Sequence, residues 1–250
     1  METAGKEVDD ILKELKPFMT MDPAEEKEYK CEKCKDTRLI KIEKDGQTKV
    51  MYCSDCKKKR DLESWLAHSG ISKNDYDRYK ISVFLTDTKV AARMAVVARR
   101  FLNDKNARGI GYFGRSGTGK THICIAICQE MKKEHHYWRY RTQIQRIKAV
   151  MYKDLDKYEE LLKIPKTSPC LYIDDLFKGA WTDNGISNQD LQIMFDIIDA
   201  RYINGLQTIV SSEYGLDKIA GADEAIGSRL YEILNPYIVY VSGKNRRINC

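Results

Sequence analysis

One stretch of the chain has the spacing of a phosphate cradle. Gly114, Arg115, Ser116, Gly117, Thr118, Gly119, Lys120 and Thr121 form a G-x-x-x-x-G-K-[ST] loop. Its glycines let backbone N–H groups turn inward around a phosphate without a Cβ in the way. A helix beginning where the loop ends adds partial positive charge at the same point. Lys120 is then placed to reach the β- and γ-phosphates of ATP, and the Thr121 hydroxyl to ligate Mg²⁺. A second stretch, Cys170-Leu171-Tyr172-Ile173-Asp174-Asp175, reads as an apolar strand ending in two carboxylates. Phosphoryl transfer from ATP needs a metal-side acid, for which Asp174 is suited, directly or through water. It also needs a group to polarise the attacking water, and Asp175 is the candidate. Such a strand is expected beside the one that leads into the glycine loop.

A second set of residues has metal-binding spacing. Cys31 and Cys34 form one C-x-x-C pair and Cys53 and Cys56 another, with eighteen residues between them. The intervening sequence reads as two strands, residues 37–42 and 48–52, around a turn at Asp45-Gly46. A hairpin of that size brings the pairs together and offers four thiolates to a tetrahedral Zn²⁺. All four positions are cysteine, so the zinc is expected to be structural and to supply much of the folding free energy of so small a segment. Neither pair sits in the βαβ context of a redox C-x-x-C.

The phosphate loop needs a strand before it and a helix behind it. Residues 109–113 supply the strand, and Ile123, Ile125, Ala126, Ile127 and Met131 the apolar positions of the helix. Cys124 and Cys128, one turn apart on that helix, read as core. Upstream, Thr88 precedes a helical pattern with Val90, Met94, Val97, Ala98 and Phe101 on one face. Downstream, residues 137–142 read as a second strand, and residues 143–163 as one long helix. Arg146, Lys148 and Lys153 alternate there with Ile144, Ile147, Val150 and Leu155. An ordinary amphipathic helix with a charged outer face and a DNA-contacting helix are both compatible with that pattern. Ser187 with Asp190 gives a capping-box-like start to a helix carrying Leu191, Met194, Ile198 and Tyr202. Residues 208–212 read as a strand ending in the hydroxyls of Ser211 and Ser212, either of which could sense a γ-phosphate. Arg229 lies on a later helix and is the candidate for an arginine finger supplied to a neighbouring subunit, with a surface salt bridge as the alternative. Residues 237–241 are the last strand. Alternating strands and helices predict an α/β fold, a parallel sheet with helices on both faces.

Composition narrows the setting. The 250 residues suffice for one α/β domain and a smaller module, divided here as 1–70 and 71–250. No apolar run is long enough to span a bilayer, and residues 1–16 lack the apolar core of a signal peptide, so a cytoplasmic protein without disulfides is expected. The net charge is +6, and residues 31–60 carry ten Lys/Arg against five Asp/Glu. That local excess suits nucleic acid, with a solvated basic face as the alternative. Val8, Ile11, Leu12 and Leu15 fall at helical spacing before Pro17, giving a short amphipathic helix that either packs on its own domain or docks on a partner.

GRSGTGKTHI, LYIDDLFKG, TIVSSEYGLDKI and IGSRLYEIL, in this order and spacing over residues 70–250, resemble the AAA+ helicase-loader family typified by DnaC and DnaI. The transposition ATPase IstB shares much of that core. The resemblance implies an ATPase that binds a hexameric replicative DNA helicase and places it on single-stranded DNA, and that self-associates through its ATPase domain. It maps Lys120 and Thr121 to Walker A, Asp174 and Asp175 to Walker B, Ser212 to the sensor and Arg229 to the arginine finger. It also links the zinc-bearing N-terminal module to helicase contact and residues 143–163 to single-stranded DNA. Two departures stand out. Glu213 follows the sensor serine where the family often has Asn, and residues 71–250 leave no room for a full C-terminal lid, for whose second sensor Arg246 or Arg247 could substitute. Most related ATPases carry Glu at the position of Asp175, which points to slow hydrolysis. The rival expectations are a transposition helper of the IstB type and a nucleotide-gated adaptor with little turnover.

Overall fold

The computed structural model describes residues 28–44, 47–131, 134–183, 185–243 and 245–248, so the amphipathic stretch 6–16 and the Asp45-Gly46 turn lie outside the described residues. The chain divides into two compact units, Met1–Leu62 and Glu63–Cys250. In the first, β1 (Leu39–Lys44) pairs antiparallel with β2 (Gln47–Tyr52), Leu39 opposite Tyr52 and Lys44 opposite Gln47. This hairpin has almost no core: Leu39, Val50, Met51 and Tyr52 are all exposed. Side chains that leave apolar surface in water contribute little to folding, so something else must fix the unit. Helix α1 (Ser54–Ser69) begins just after Cys53.

The second unit is the α/β domain. Trp65, inside the span 1–70 assigned to the first module, packs edge-on against Tyr76 and His135 in this core. After α1 come α2 (Lys73–Arg78), a 3₁₀ turn at Ile81–Val83, and α3 (Lys89–Asn103). Thr88 starts α3 as expected, accepting from the Ala91 N–H at 3.2 Å, and Ala91, Met94, Ala98 and Phe101 are buried. Then follow β3 (Gly109–Gly114), α4 (Lys120–Met131), β4 (His136–Arg139), α5 (Tyr140–Val150), α6 (Leu155–Thr167) and β5 (Cys170–Asp174). A two-residue ribbon, β6 (Trp181–Thr182) with β7 (Gly185–Ile186), precedes α7 (Asn188–Ile203), capped by Ser187 as expected. Strand β8 (Gln207–Ser212), α8 (Leu216–Ala222), α9 (Glu224–Leu234) and β9 (Ile238–Val241) complete the domain.

Five strands form one parallel sheet in the order β4-β5-β8-β3-β9. Two apolar clusters cover its faces, one built around α5, α6, α7 and α9, the other around α3 and α4. The parallel sheet with two helical layers is the expected fold class. Its order corrects one expectation: β5 is not beside β3, because β8 lies between and pairs with both. Thr208, Ile209, Val210, Ser211 and Ser212 are fully buried, which is what a central strand requires. Residues 143–163 are not one helix either. Asp154, at φ −148° and ψ 95°, caps α6 by accepting the Lys157 N–H, so α5 ends near Val150 and a new helix starts. Residues 140–142 are the first turn of α5 rather than strand. Among the described residues no helix is long and apolar enough to cross a membrane.

Arg201 of α7 is fully buried and was not legible as a structural residue. It donates to Thr208 Oγ1 at 2.9 Å and to the carbonyls of Pro165, Ser168 and Gln207 at 2.9, 3.0 and 2.5 Å. Burial depresses its guanidinium to about 10. It ties α6 and α7 to the start of β8 through buried and part-buried acceptors. Arg201→Met should cost about 3 kcal/mol or more, because three carbonyls lose their donors. Denaturant unfolding would measure it, and a loss below about 1 kcal/mol would show that the carbonyls find other donors.

Candidate functional site

The glycine loop leaves β3 and enters α4 at the carboxyl edge of the sheet, where the topology turns from β8 on one side of β3 to β9 on the other. Gly114, Gly117 and Gly119 hold φ of 137°, 75° and 96°, values that side-chain-bearing residues rarely adopt. At Gly114 and Gly117 a Cβ would also collide, with the Val241 carbonyl and with Asn245. Lys120 is buried and folds back onto the loop, donating to the Gly114 and Arg115 carbonyls at 2.6 and 2.8 Å. Burial lowers its ammonium pKa, and the charges of Asp175 and Glu213 oppose that shift. Thr118 braces the turn by donating to the Arg115 carbonyl. Ser116, Gly117, Lys120 and Thr121 line a cleft of about 370 Å³ together with Asp175, Lys178, Arg246 and Arg247. Tyr79, Phe84 and His122 also line it, and the His122 ring meets the other two at 5.2 and 5.1 Å. His122 is held by the Lys80 carbonyl at 2.9 Å.

Asp174 ends β5 buried beneath this cleft and accepts four hydroxyls. Thr121 donates to Oδ1 at 3.1 Å, Ser211 to Oδ1 at 2.7 Å, Tyr172 to Oδ1 at 2.5 Å and Tyr137 to Oδ2 at 2.8 Å. The Thr121 hydroxyl and a carboxylate oxygen thus meet at the mouth of the loop, a hard-oxygen pair that fits Mg²⁺. Burial and the Asp174 charge push both tyrosine hydroxyls up, Tyr172 well above its ordinary range. They therefore remain O–H donors and fix the carboxylate's orientation. The two tyrosines stack at 5.2 Å and come from adjacent strands. Nothing local in the sequence marks this support, since it depends on β4 lying next to β5.

Ser212 does not share that position. Its hydroxyl donates to the Leu176 carbonyl at 2.8 Å and accepts the Tyr214 N–H, whereas Ser211 is the serine on Asp174. Successive residues of a strand point to opposite faces, so only one of the pair can reach the cleft side. Asp175 has φ 56°, and its N–H donates to Ser211 Oγ at 3.1 Å. Its carboxylate pairs with Lys178 at 2.9 Å, and Lys178 pairs with Glu213 at 2.8 Å. Arg229 is not on its own chain's cleft. It pairs with Asp199 at 2.7 Å and lies over the Phe195 and Tyr202 rings. Arg246 donates its backbone N–H to the Gly117 carbonyl at 2.9 Å, and its guanidinium meets the Leu85 carbonyl and Asp87.

Of the three basic residues that alternate along residues 143–163, Arg146 and Lys153 are exposed and Lys148 is not. Lys148 is tied to the buried Asp190 and to Ser187, in a network that Tyr140 joins. Cys124 and Cys128 are buried in the core, and burial raises both thiols well above their ordinary range.

In the first unit the sulfurs of Cys31, Cys34, Cys53 and Cys56 all lie within 4.8 Å of one another, Cys31 and Cys53 at 3.8 Å and Cys34 and Cys56 at 3.4 Å. Four thiolates at ~2.3 Å from a tetrahedral zinc stand about 3.8 Å apart, so the donor set fits that ion. Asp36 braces the first knuckle by accepting the Lys30 and Cys31 N–H groups at 3.1 and 2.9 Å. A backbone hydrogen bond at Cys34 draws the Cys31 thiol down to about 7, while its thiol neighbours, Cys34 foremost, push Cys56 up to about 12. A dication among the four removes that conflict by favouring every thiolate.

No family model matches the chain. Phage-like element PBSX protein XkdC of Bacillus subtilis (strain 168) is 26% identical over 256 residues, covering 97% of this chain and 94% of that protein. Among solved structures, DnaI superposes with a TM-score of 0.55 at 20% identity, covering 71% of this chain and 94% of that one. The DnaC helicase loader gives a TM-score of 0.55 at 22% identity, covering 68% of this chain and all of that one (100%). The resemblance carried by the motifs thus extends to three dimensions: the chain has the parallel α/β fold of the solved DnaI and DnaC structures.

Proposed function

We propose that this chain is an ATPase that loads a hexameric replicative DNA helicase onto single-stranded DNA. The observation that carries the reading is the meeting of Thr121 and Asp174 at the mouth of the glycine loop, in a fold shared with DnaI and the DnaC helicase loader. Thr121 and Asp174 would hold Mg²⁺, which when bound neutralises charge on the β- and γ-phosphate oxygens. Lys120 would leave the Gly114 and Arg115 carbonyls for the phosphates. Asp175 would polarise a water and take its proton as the water oxygen bonds to the γ-phosphorus. The bond from that phosphorus to the bridging oxygen breaks, and ADP and phosphate leave. Ser211, which donates to Asp174, would report on the metal side in place of Ser212. Arg229 would act on the ATP of a neighbouring copy after leaving Asp199.

Zinc held by Cys31, Cys34, Cys53 and Cys56 would make the first unit a rigid ribbon that grips the helicase. Single-stranded DNA would be met by exposed basic residues such as Arg146, while Lys148 serves the fold. The cytoplasm is the setting that this activity requires.

The test is turnover of the full chain with Mg²⁺ and ATP, with and without single-stranded DNA. The wild-type protein should hydrolyse ATP, and Lys120→Ala should neither bind nor hydrolyse it, having lost the cation that faces the β- and γ-phosphates. Tight ATP binding with no turnover, with or without DNA, would replace this reading by the nucleotide-gated adaptor. Arg146→Gln should shallow the salt dependence of DNA binding by roughly one ion. Lys148→Gln should instead act on stability.

A further inference from the structure

Lys178 stands in the turn that follows β5, and the backbone around it is strained. Asp175 and Phe177 both adopt left-handed φ, 56° and 62°, which neither favours. Strain of this kind persists where surrounding structure over-determines it, and here it is pinned on each side. The Asp175 N–H reaches Ser211 Oγ, the Leu176 N–H the Ser211 carbonyl, and the Leu176 carbonyl takes Ser212 Oγ. The outcome is that Lys178 lines the loop's cleft with its ammonium between two carboxylates, Asp175 at 2.9 Å and Glu213 at 2.8 Å. The charges of Asp175 and Glu213 both act on the buried Lys120 of the glycine loop. The bridge from Asp175 through Lys178 to Glu213 therefore stands near the loop lysine that would face the terminal phosphates.

Two carboxylates so near the loop would repel a triphosphate, and Lys178 between them offsets part of the repulsion. A lysine also has a choice that a fixed hydrogen-bond donor lacks, because its compact charge on a flexible stem can change partner. We infer that Lys178 is a positioning residue that responds to the γ-phosphate: it bridges Asp175 and Glu213 before ATP arrives, then turns to the γ-phosphate and releases Asp175 to the attacking water. The inference rests on the ATPase reading above. It adds to that reading a means of telling ATP from ADP within one chain, since ADP brings no group to draw Lys178 away.

The test compares equilibrium binding of Mg²⁺-ATP and Mg²⁺-ADP, and single-turnover hydrolysis, for full-length wild-type protein, Lys178→Ala and Lys178→Arg. Lys178→Ala should lose on the order of tenfold in affinity for ATP, the share of one charged hydrogen bond, while its affinity for ADP is unchanged. Lys178→Arg should restore most of the ATP preference, since a guanidinium can also bridge two carboxylates. A merely structural lysine would weaken both nucleotides together. Lys178→Gln, which keeps the stem, must show the same selective loss if the alanine variant fails to fold. An unchanged ATP-to-ADP ratio in a folded variant overturns the inference and leaves the ATPase reading standing. A wild-type chain that binds neither nucleotide overturns both.

Discussion

Arg229→Ala is expected to lower ATP turnover by about 10³-fold while leaving the fold nearly as stable as before. The two halves of that expectation separate a finger from a surface ion pair. Arg229 is partly exposed, pairs with Asp199 at 2.7 Å and covers the Phe195 and Tyr202 rings. Such a pair is worth about 1 kcal/mol or less, so its loss should shift the unfolding midpoint only slightly. A finger, by contrast, stabilises charge that appears only in the transition state, and removing it costs rate rather than binding. Asp175→Asn should give a similar loss with nucleotide binding kept, because shape is preserved and the water's proton acceptor is gone. Mixing Arg229→Ala subunits with Lys120→Ala subunits should recover part of the activity, since each supplies what the other lacks at a shared boundary. No recovery in such mixtures would argue against action across subunits.

Removing zinc should have the largest effect on folding. The β1–β2 hairpin leaves Leu39, Val50, Met51 and Tyr52 exposed, so its own burial cannot hold it. Zinc on four thiolates contributes ~10–16 kcal/mol in small modules of this kind, which is more than the unit could otherwise muster. Elemental analysis should find one zinc per chain in protein purified without chelator. Chelation, or Cys31→Ser, should expose residues 28–62 to protease while the second unit keeps its nucleotide affinity. A chain without zinc whose first unit still resists protease would contradict the assignment.

The parts of this molecule that were legible in the sequence are those fixed by local spacing. The glycines of residues 114–121 fix strand, loop and helix because few other sequences tolerate those φ values. The two C-x-x-C pairs predict a shared four-sulfur cluster, and the four sulfurs do converge within 4.8 Å of one another. What the sequence hid depends on neighbours far along the chain. That β8 enters between β3 and β5 is a matter of sheet order, and it decides that Ser211 rather than Ser212 reaches Asp174. Tyr137 and Tyr172 look like ordinary core aromatics until β4 is known to pair with β5. The break at Asp154 had a local signal, a capping residue inside a helical pattern, but the apolar periodicity on either side masks it. Glu213 reads only as a departure from the family, yet it holds one end of the Lys178 bridge. Arg201 shows the converse: a charged residue in a helical stretch suggests solvent, and only the converging carbonyls reveal a buried clamp.

The central claim is that ATP at this cleft drives helicase placement, and one measurement tests it directly. The full chain is mixed with a hexameric replicative helicase from the same source and closed circular single-stranded DNA, and helicase bound to the circles is counted after gel filtration. Rings cannot thread onto a closed circle unaided, so wild-type protein with ATP should deposit helicase, and Lys120→Ala should not. Circles that stay bare with wild-type protein, ATP and helicase present, or a chain that captures a transposase in place of the helicase, would contradict the account.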